Sequence, residues 1–166
     1  MNPLLKDIFS LAKQIVTLSN DKGLSIGTAE SCTGGLIGGA ITAIPGSSNC
    51  FKGGITAYDN AVKEGLLGIP KETLINHGAV SRQAAEAMAS GALKTLGVDI
   101  AISVTGIAGP GGGSAEKPVG TVWIGFAAAG NTTATLYEFG DIGRNRVRDQ
   151  ACFEGLKMLQ SNLSKT

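Results

Sequence analysis

Apolar positions change their period several times along the chain, and each change marks an element. Leu4, Leu5, Ile8, Leu11, Ala12, Ile15 and Val16 recur at the three- and four-residue spacing of a helix with one buried face. Residues 24–29 read as a strand, and the uncharged, glycine-rich run behind them predicts a helix over 36–44, broken by Pro45-Gly46-Ser47-Ser48. Residues 53–58 read as a second strand. Asn60 is placed to cap a short helix over 61–67, and Ser81 to cap a longer one with Ala84, Ala85, Met88, Ala92 and Leu96 facing inward. Residues 98–104 are apolar except for Asp99 and Ser103, the pattern of a strand covered on both faces. The glycine- and proline-rich stretch 105–118 predicts no regular structure. Segments 119–128 and 132–139 then pair across Gly130-Asn131 as a hairpin, and a last helix follows over about 145–163.

Early alternation of helix and strand, with a hairpin late, predicts an α/β protein. The expected architecture is a three-layer α/β/α sandwich on a mixed, mostly parallel five-stranded sheet with one antiparallel strand. No repeat or linker divides the chain, so residues 1–166 are read as a single domain.

Composition sharpens this picture in a few places. With 43% hydrophobic and 16% charged residues, the chain can bury a core, and disorder is excluded. A net charge of +1 without a basic run argues against nucleic-acid and membrane surfaces as partners. The uncharged run 31–51 has an apolar part too short to span a bilayer, and the charged residues within 1–19 do not fit a signal peptide. Three scattered cysteines (Cys32, Cys50, Cys152) build neither a disulfide framework nor a metal cage, which fits a reducing cytoplasm and no metal. The 25 glycines are the anomaly, and they gather at 34–39, 53–54 and 106–113, where close approach of backbone to a ligand is expected.

Chemistry concentrates at strand ends, where ligands of open α/β sheets bind. Thr28-Ala29-Glu30-Ser31-Cys32-Thr33-Gly34-Gly35 sets a serine on a strand-to-helix turn, where N–H groups of a helix start can hold an oxyanion. Ser31 or Thr33 can equally be a plain helix cap. Tyr58-Asp59-Asn60 follows the second strand and Thr105-Gly106 the third. His77 is the sole histidine and reads as a turn residue, so Lys63 is the candidate base. Its place in the first turn of a helix lowers its pKa, and Tyr58 is placed to relay a proton between Lys63 and Ser31. A solvated Lys63 and a packed Tyr58 remain the bland alternative. Cys32 competes as nucleophile, since a thiol at a helix start would be acidified. Arg144 and Arg148, four apart, either share a face that grips phosphate or form an ordinary solvated face with Arg146. The 106–113 loop lacks the Gly-Lys-Ser/Thr of a P-loop, and no dinucleotide fingerprint is present.

These residues, with Gly78-Ala79-Val80-Ser81, Thr105-Gly106-Ile107-Ala108-Gly109-Pro110 and Glu116-Lys117-Pro118-Val119-Gly120-Thr121-Val122, resemble the CinA carboxy-terminal domain. The resemblance covers nearly the whole chain, with five motifs in order. It implies the same three-layer fold and, from stand-alone members, hydrolysis of nicotinamide mononucleotide to nicotinate mononucleotide and ammonia, in pyridine nucleotide recycling. By its motifs Ser31, Tyr58 and Lys63 are catalytic, with no cofactor. Glu30, Cys32, Thr33, Gly34, Gly35, Asn60, Thr105, Gly106, Arg144 and Arg148 are expected around the substrate, the arginines on its phosphate. Backbone N–H groups of Cys32 to Gly34 are expected to hold the oxyanion. Some members carry an extra molybdopterin-binding-like domain, for which 166 residues leave no room. Others have no demonstrated deamidase activity, so a silent pyridine-nucleotide-binding module with a regulatory or competence-related role is the alternative. A homo-oligomer, in the first instance a dimer, is expected.

Overall fold

Strand β3 (Ile100–Gly106) organises the molecule, because its side chains alternate between two cores. Ile100, Ile102 and Val104 enter one apolar cluster and Ala101 the other. The structure, a computed structural model, describes residues 3–165; Met1, Asn2 and Thr166 lie outside them. β1 (Ile26–Glu30) lies beside β3, with β2 (Phe51–Thr56) at one edge and the hairpin β4 (Thr121–Ala128) and β5 (Asn131–Glu138) beyond, in the order β2-β1-β3-β4-β5. β1 pairs parallel with both β2 and β3, and β4 pairs antiparallel with β3 and β5. Only β4 therefore runs against the others, as the pattern of the sequence predicts.

Helices α1 (Pro3–Lys22), α2 (Leu36–Thr42) and α6 (Arg144–Lys165) cover the isoleucine-rich face of the sheet. Helices α3 (Asn60–Leu67), α4 (Lys71–His77) and α5 (Arg82–Leu96) cover the alanine-rich one. The two faces differ because α5 lies nearly on the sheet. A Cβ on Gly125 would run into Ala85 O and Ser103 Oγ, and that serine hydroxyl donates to Ala85 O at 2.6 Å. This bond satisfies the hydroxyl that interrupts the apolar run of β3.

Expected and observed elements differ mainly at their ends. β1 begins at Ile26 rather than 24, β2 ends at Thr56 and leaves Tyr58 in the turn before α3, and Thr105-Gly106 complete β3 instead of following it. Asn60 does not cap α3. Asp59 does, its carboxylate accepting from Ala61 N–H at 2.8 Å. Ser81 caps α5 as expected, accepting from Ala84 N–H at 3.1 Å. Helix α4 is not among the predicted elements, because its seven residues span only about two turns, too short for a periodic pattern. His77 consequently ends a helix instead of sitting in a loop.

Helix α3, which carries Lys63, crosses α5 at Gly91, where an added Cβ would collide with Leu67 O. Gly91→Ala is expected to lower stability by about 1–3 kcal/mol, because the backbone carbonyl cannot yield like a side chain. Thermal melts of the two proteins check this.

Candidate active site

Alternation along β1 sends neighbouring side chains to opposite faces, and the site is built on that split. Ser31 extends β1 by one residue, its N–H donating to Val104 O at 2.9 Å. Glu30 turns toward α2 and Ser31 toward α3. The Glu30 carboxylate, 1% exposed, accepts the N–H groups of Gly35, Ile37 and Gly38 at 3.0, 3.1 and 2.8 Å. Neither Ser31 nor Thr33 caps α2. Gly35 is the capping position, without a side-chain bond, and Glu30 does the work from the preceding strand.

On the other face, Lys63 Nζ donates to Ser31 Oγ and to Tyr58 O, both at 3.2 Å. Lys63 is 1% exposed, which disposes of the solvated alternative. Its pKa is lowered chiefly by burial, which opposes the charged form; the Asp59 carboxylate pulls the other way. Burial, then, performs the task assigned to the helix end. Tyr58 does not lie between the two. The residue is 60% exposed, its carbonyl faces Lys63, and its hydroxyl accepts from Arg144 Nη2 at 3.0 Å. Lysine and serine meet directly.

Ser31, Cys32, Tyr58, Asn60, Lys63, Thr105, Gly106 and Arg144 line one cleft of about 270 Å³. Ala79, Val80 and the 107–112 loop complete its walls. Thr105 contributes little polarity, since its hydroxyl donates to Ala79 O at 2.8 Å. Arg144 is anchored at the mouth by Gly109 O at 2.8 Å, with the tyrosine hydroxyl on its other nitrogen. Glu30, Thr33, Gly34, Gly35 and Arg148 are not among the cleft-lining residues. Arg148 instead donates to Cys32 O and Thr33 O at 3.1 and 3.0 Å.

Two expectations about the turn change. Gly34 N–H closes on Ser31 O at 3.0 Å and is spent, and of residues 32–34 the cleft lining includes Cys32 alone, whose amide is the one left as an oxyanion donor. The Cys32 thiol is not acidified; burial pushes its pKa up to about 12. A buried neutral thiol is a poor nucleophile, and Ser31 is the better one. No group of residues suited to a metal ion occurs among the described residues.

The match to known proteins covers this whole arrangement. The family model of the CinA C-terminal domain matches residues 8–163. The chain belongs to the CinA family. A CinA-like protein of Leptospira interrogans is 46% identical over 160 residues, 96% of this chain but 38% of that protein. Another, of Dictyoglomus turgidum, is 47% identical over 93% of this chain and 37% of its own length. The chain thus spans about two fifths of these longer CinA relatives. Among solved structures, the competence/damage inducible protein CihA of Agrobacterium tumefaciens superposes with a TM-score of 0.92 at 49% identity, covering 95% of this chain and 96% of that one. A CinA superfamily protein of Klebsiella pneumoniae superposes at 0.91 with 30% identity, covering 96% and 99%. The CinA fold and the α/β architecture predicted from the sequence coincide. No helix among the described residues is long and apolar enough to cross a membrane.

The raised thiol pKa gives a direct check on the choice of nucleophile. All three cysteines are free and buried, so a colorimetric thiol titration near pH 8 is expected to find no fast-reacting group until the protein is denatured, and then three.

Proposed function

We propose that the chain is an amidohydrolase that converts nicotinamide mononucleotide to nicotinate mononucleotide and ammonia. The observation that carries this reading is the buried Lys63, its pKa lowered by that burial, in hydrogen-bond contact with Ser31 in the cleft. A serine with an adjacent general base is the minimum for covalent amide hydrolysis. Membership in the CinA family, which supplied the substrate by resemblance, agrees with it.

In the proposed reaction Ser31 Oγ attacks the carboxamide carbon while its proton passes to Lys63 Nζ. The carbonyl oxygen becomes an oxyanion held by the Cys32 N–H at the helix start. As the tetrahedral intermediate collapses, the C–N bond breaks and the amine takes the proton back from Lys63, leaving as ammonia. Tyr58 is the second proton-bearing group at this mouth. Its oxygen accepts from Arg144, which leaves its own O–H free to face the departing nitrogen. Water then attacks the acyl-serine with Lys63 again as base, releasing the carboxylate. Arg144, fixed on two sides, presents its remaining donors to the phosphate. Neither metal nor organic cofactor takes part in the proposal, and the expected dimer places no residue in it.

Ammonia release from nicotinamide mononucleotide by the purified protein is the deciding measurement. Ser31→Ala is expected to cut it by about 10⁴-fold or more while leaving the fold intact. Binding of the nucleotide without ammonia release would favour the silent binding module instead.

Lys63 must be neutral to accept the proton. Activity is therefore expected to fall as pH drops through its depressed pKa, giving a rising limb in the pH–rate profile below the ordinary lysine range. Arg144→Ala is expected to raise KM about ten-fold or more for the nucleotide, and free nicotinamide to be a very poor substrate. Equal turnover of the two would overturn the phosphate grip.

A further inference from the structure

Arg148 stands in the second turn of α6, one turn beyond Arg144, yet its guanidinium is committed elsewhere. Nε–H donates to Cys32 O and Nη2–H to Thr33 O, across more than a hundred residues of chain. A cation near a helix start is opposed by the helix dipole, and no acidic residue occupies the first turn of α6. The two carbonyls are what offset that cost.

Those carbonyls belong to the peptides directly behind the nucleophile. In a trans peptide, C=O and N–H point in opposite directions. Cys32 O shares its plane with Thr33 N–H, so drawing the oxygen toward Arg148 turns that N–H to the far side. Thr33 O shares its plane with Gly34 N–H, which is the amide that closes on Ser31 O at 3.0 Å. One rigid, planar fork thereby holds two successive peptide planes. Charge-assisted bonds to a carbonyl also polarise the amide and strengthen its N–H as a donor.

The turn needs such a hold. Gly34 and Gly35 stand at φ +63° and +102°, where a chain without Cβ atoms rotates freely. Glu30 secures the amides that follow, at Gly35, Ile37 and Gly38. Arg148 secures the carbonyls that precede them. Between the two anchors, the peptide that carries Thr33 N–H is set in one orientation.

We propose that Arg148 is a positioning residue for the hydrolysis, holding in one orientation the turn that carries Ser31 and the Cys32 amide, and is not part of the phosphate grip. The inference rests on the serine-hydrolase reading above but not on the identity of the substrate. It also separates the two arginines by task, with Arg144 serving binding and Arg148 serving the chemical step.

The test compares Arg148→Met and Arg148→Lys with wild type at a temperature where circular dichroism shows all three folded. Two rates are read. One is turnover of nicotinamide mononucleotide. The other is phosphonylation of Ser31 by a small fluorophosphonate, followed by intact mass. In that step Oγ attacks phosphorus, the P–F bond breaks, fluoride leaves and the hydroxyl proton passes to Lys63. The probe carries no ribose phosphate, so it reports the turn and not the grip.

Arg148→Met is expected to lower kcat by about 10²-fold with KM within about three-fold, and to slow labelling by a similar factor. Arg148→Lys keeps the charge but cannot span both carbonyls, and is expected to recover less than about ten-fold of the loss. Arg144→Ala, in contrast, should raise KM for the nucleotide. A rise in KM for Arg148→Met with kcat and labelling untouched would overturn the proposal in favour of phosphate binding. Full rescue by lysine would reduce Arg148 to a bare charge and overturn it as well. Wild-type protein that labels at Ser31 with this dependence on Arg148, but releases no ammonia from the nucleotide, would sink the substrate and leave the positioning role standing. Failure of wild type to label at Ser31 would remove both.

Discussion

The carboxylate of Glu30 sits at the hinge of the structure, buried at 1% exposure where β1 meets α2. Three backbone N–H groups converge on it, and these are donors that a helix start otherwise leaves to water. Removing a carboxylate from water is costly, and charge-assisted bonds to oriented amides are one of the few ways to offset it. Because the bonds come from α2 alone, they fix that helix to the end of the strand. Everything next to it inherits the constraint. Ser31 is held to β3 by its own N–H, the two-residue alternation of the strand turns it to the opposite face, and the chain between Ser31 and Gly35 is left as a short, tightly specified turn.

Around this turn, three separate layers supply one site. β1 offers the serine, α3 the lysine, and α6 both arginines, while the irregular 107–112 loop closes the wall. The geometry says why this chain needs a small residue at particular positions. Gly91 lets α3 approach α5, and Gly125 lets α5 approach the sheet, so the lysine enters from a layer packed unusually close to the strands. The buried residues of that layer are apolar, the alanines and Met88 of α5 beside Leu67, Ile69 and Leu74, and Lys63 at 1% exposure is cut off from solvent. Packing density and base strength are thus one and the same choice of residues.

The fold was legible because its signals are local. Helical spacing in α1, the buried run of β3 and the Gly130-Asn131 turn each act within about ten residues. Ser31 and Lys63 were legible for the same reason, each marked by a strand end followed by a helix. What escaped the reading acts over distance or against local rule. Glu30 caps a helix from five to eight residues ahead of its amides, a span that no capping box uses. Arg148 pairs with carbonyls 116 and 115 residues away, so the four-residue spacing from Arg144 pointed to a shared face and a shared ligand instead. Cys32 looked acidified because its sequence position shows the helix start but hides the burial that dominates it. In each case the deciding quantity was solvent exclusion or a long-range bond, and neither is written in a window of sequence.

The same carboxylate bears on how a turnover would end. Under the proposed reaction the substrate carries a neutral amide at the serine and the product a full negative charge. An open helix start would hold that anion and tend to keep it. Here the positive end of α2 is already satisfied by an anion of the protein's own, buried just behind the serine. The new carboxylate would therefore find those helix-end amides already taken, so the grip on the acid gains nothing from α2 at the atom that has just changed. A group fixed during folding would in this way keep the helix end from holding back the product.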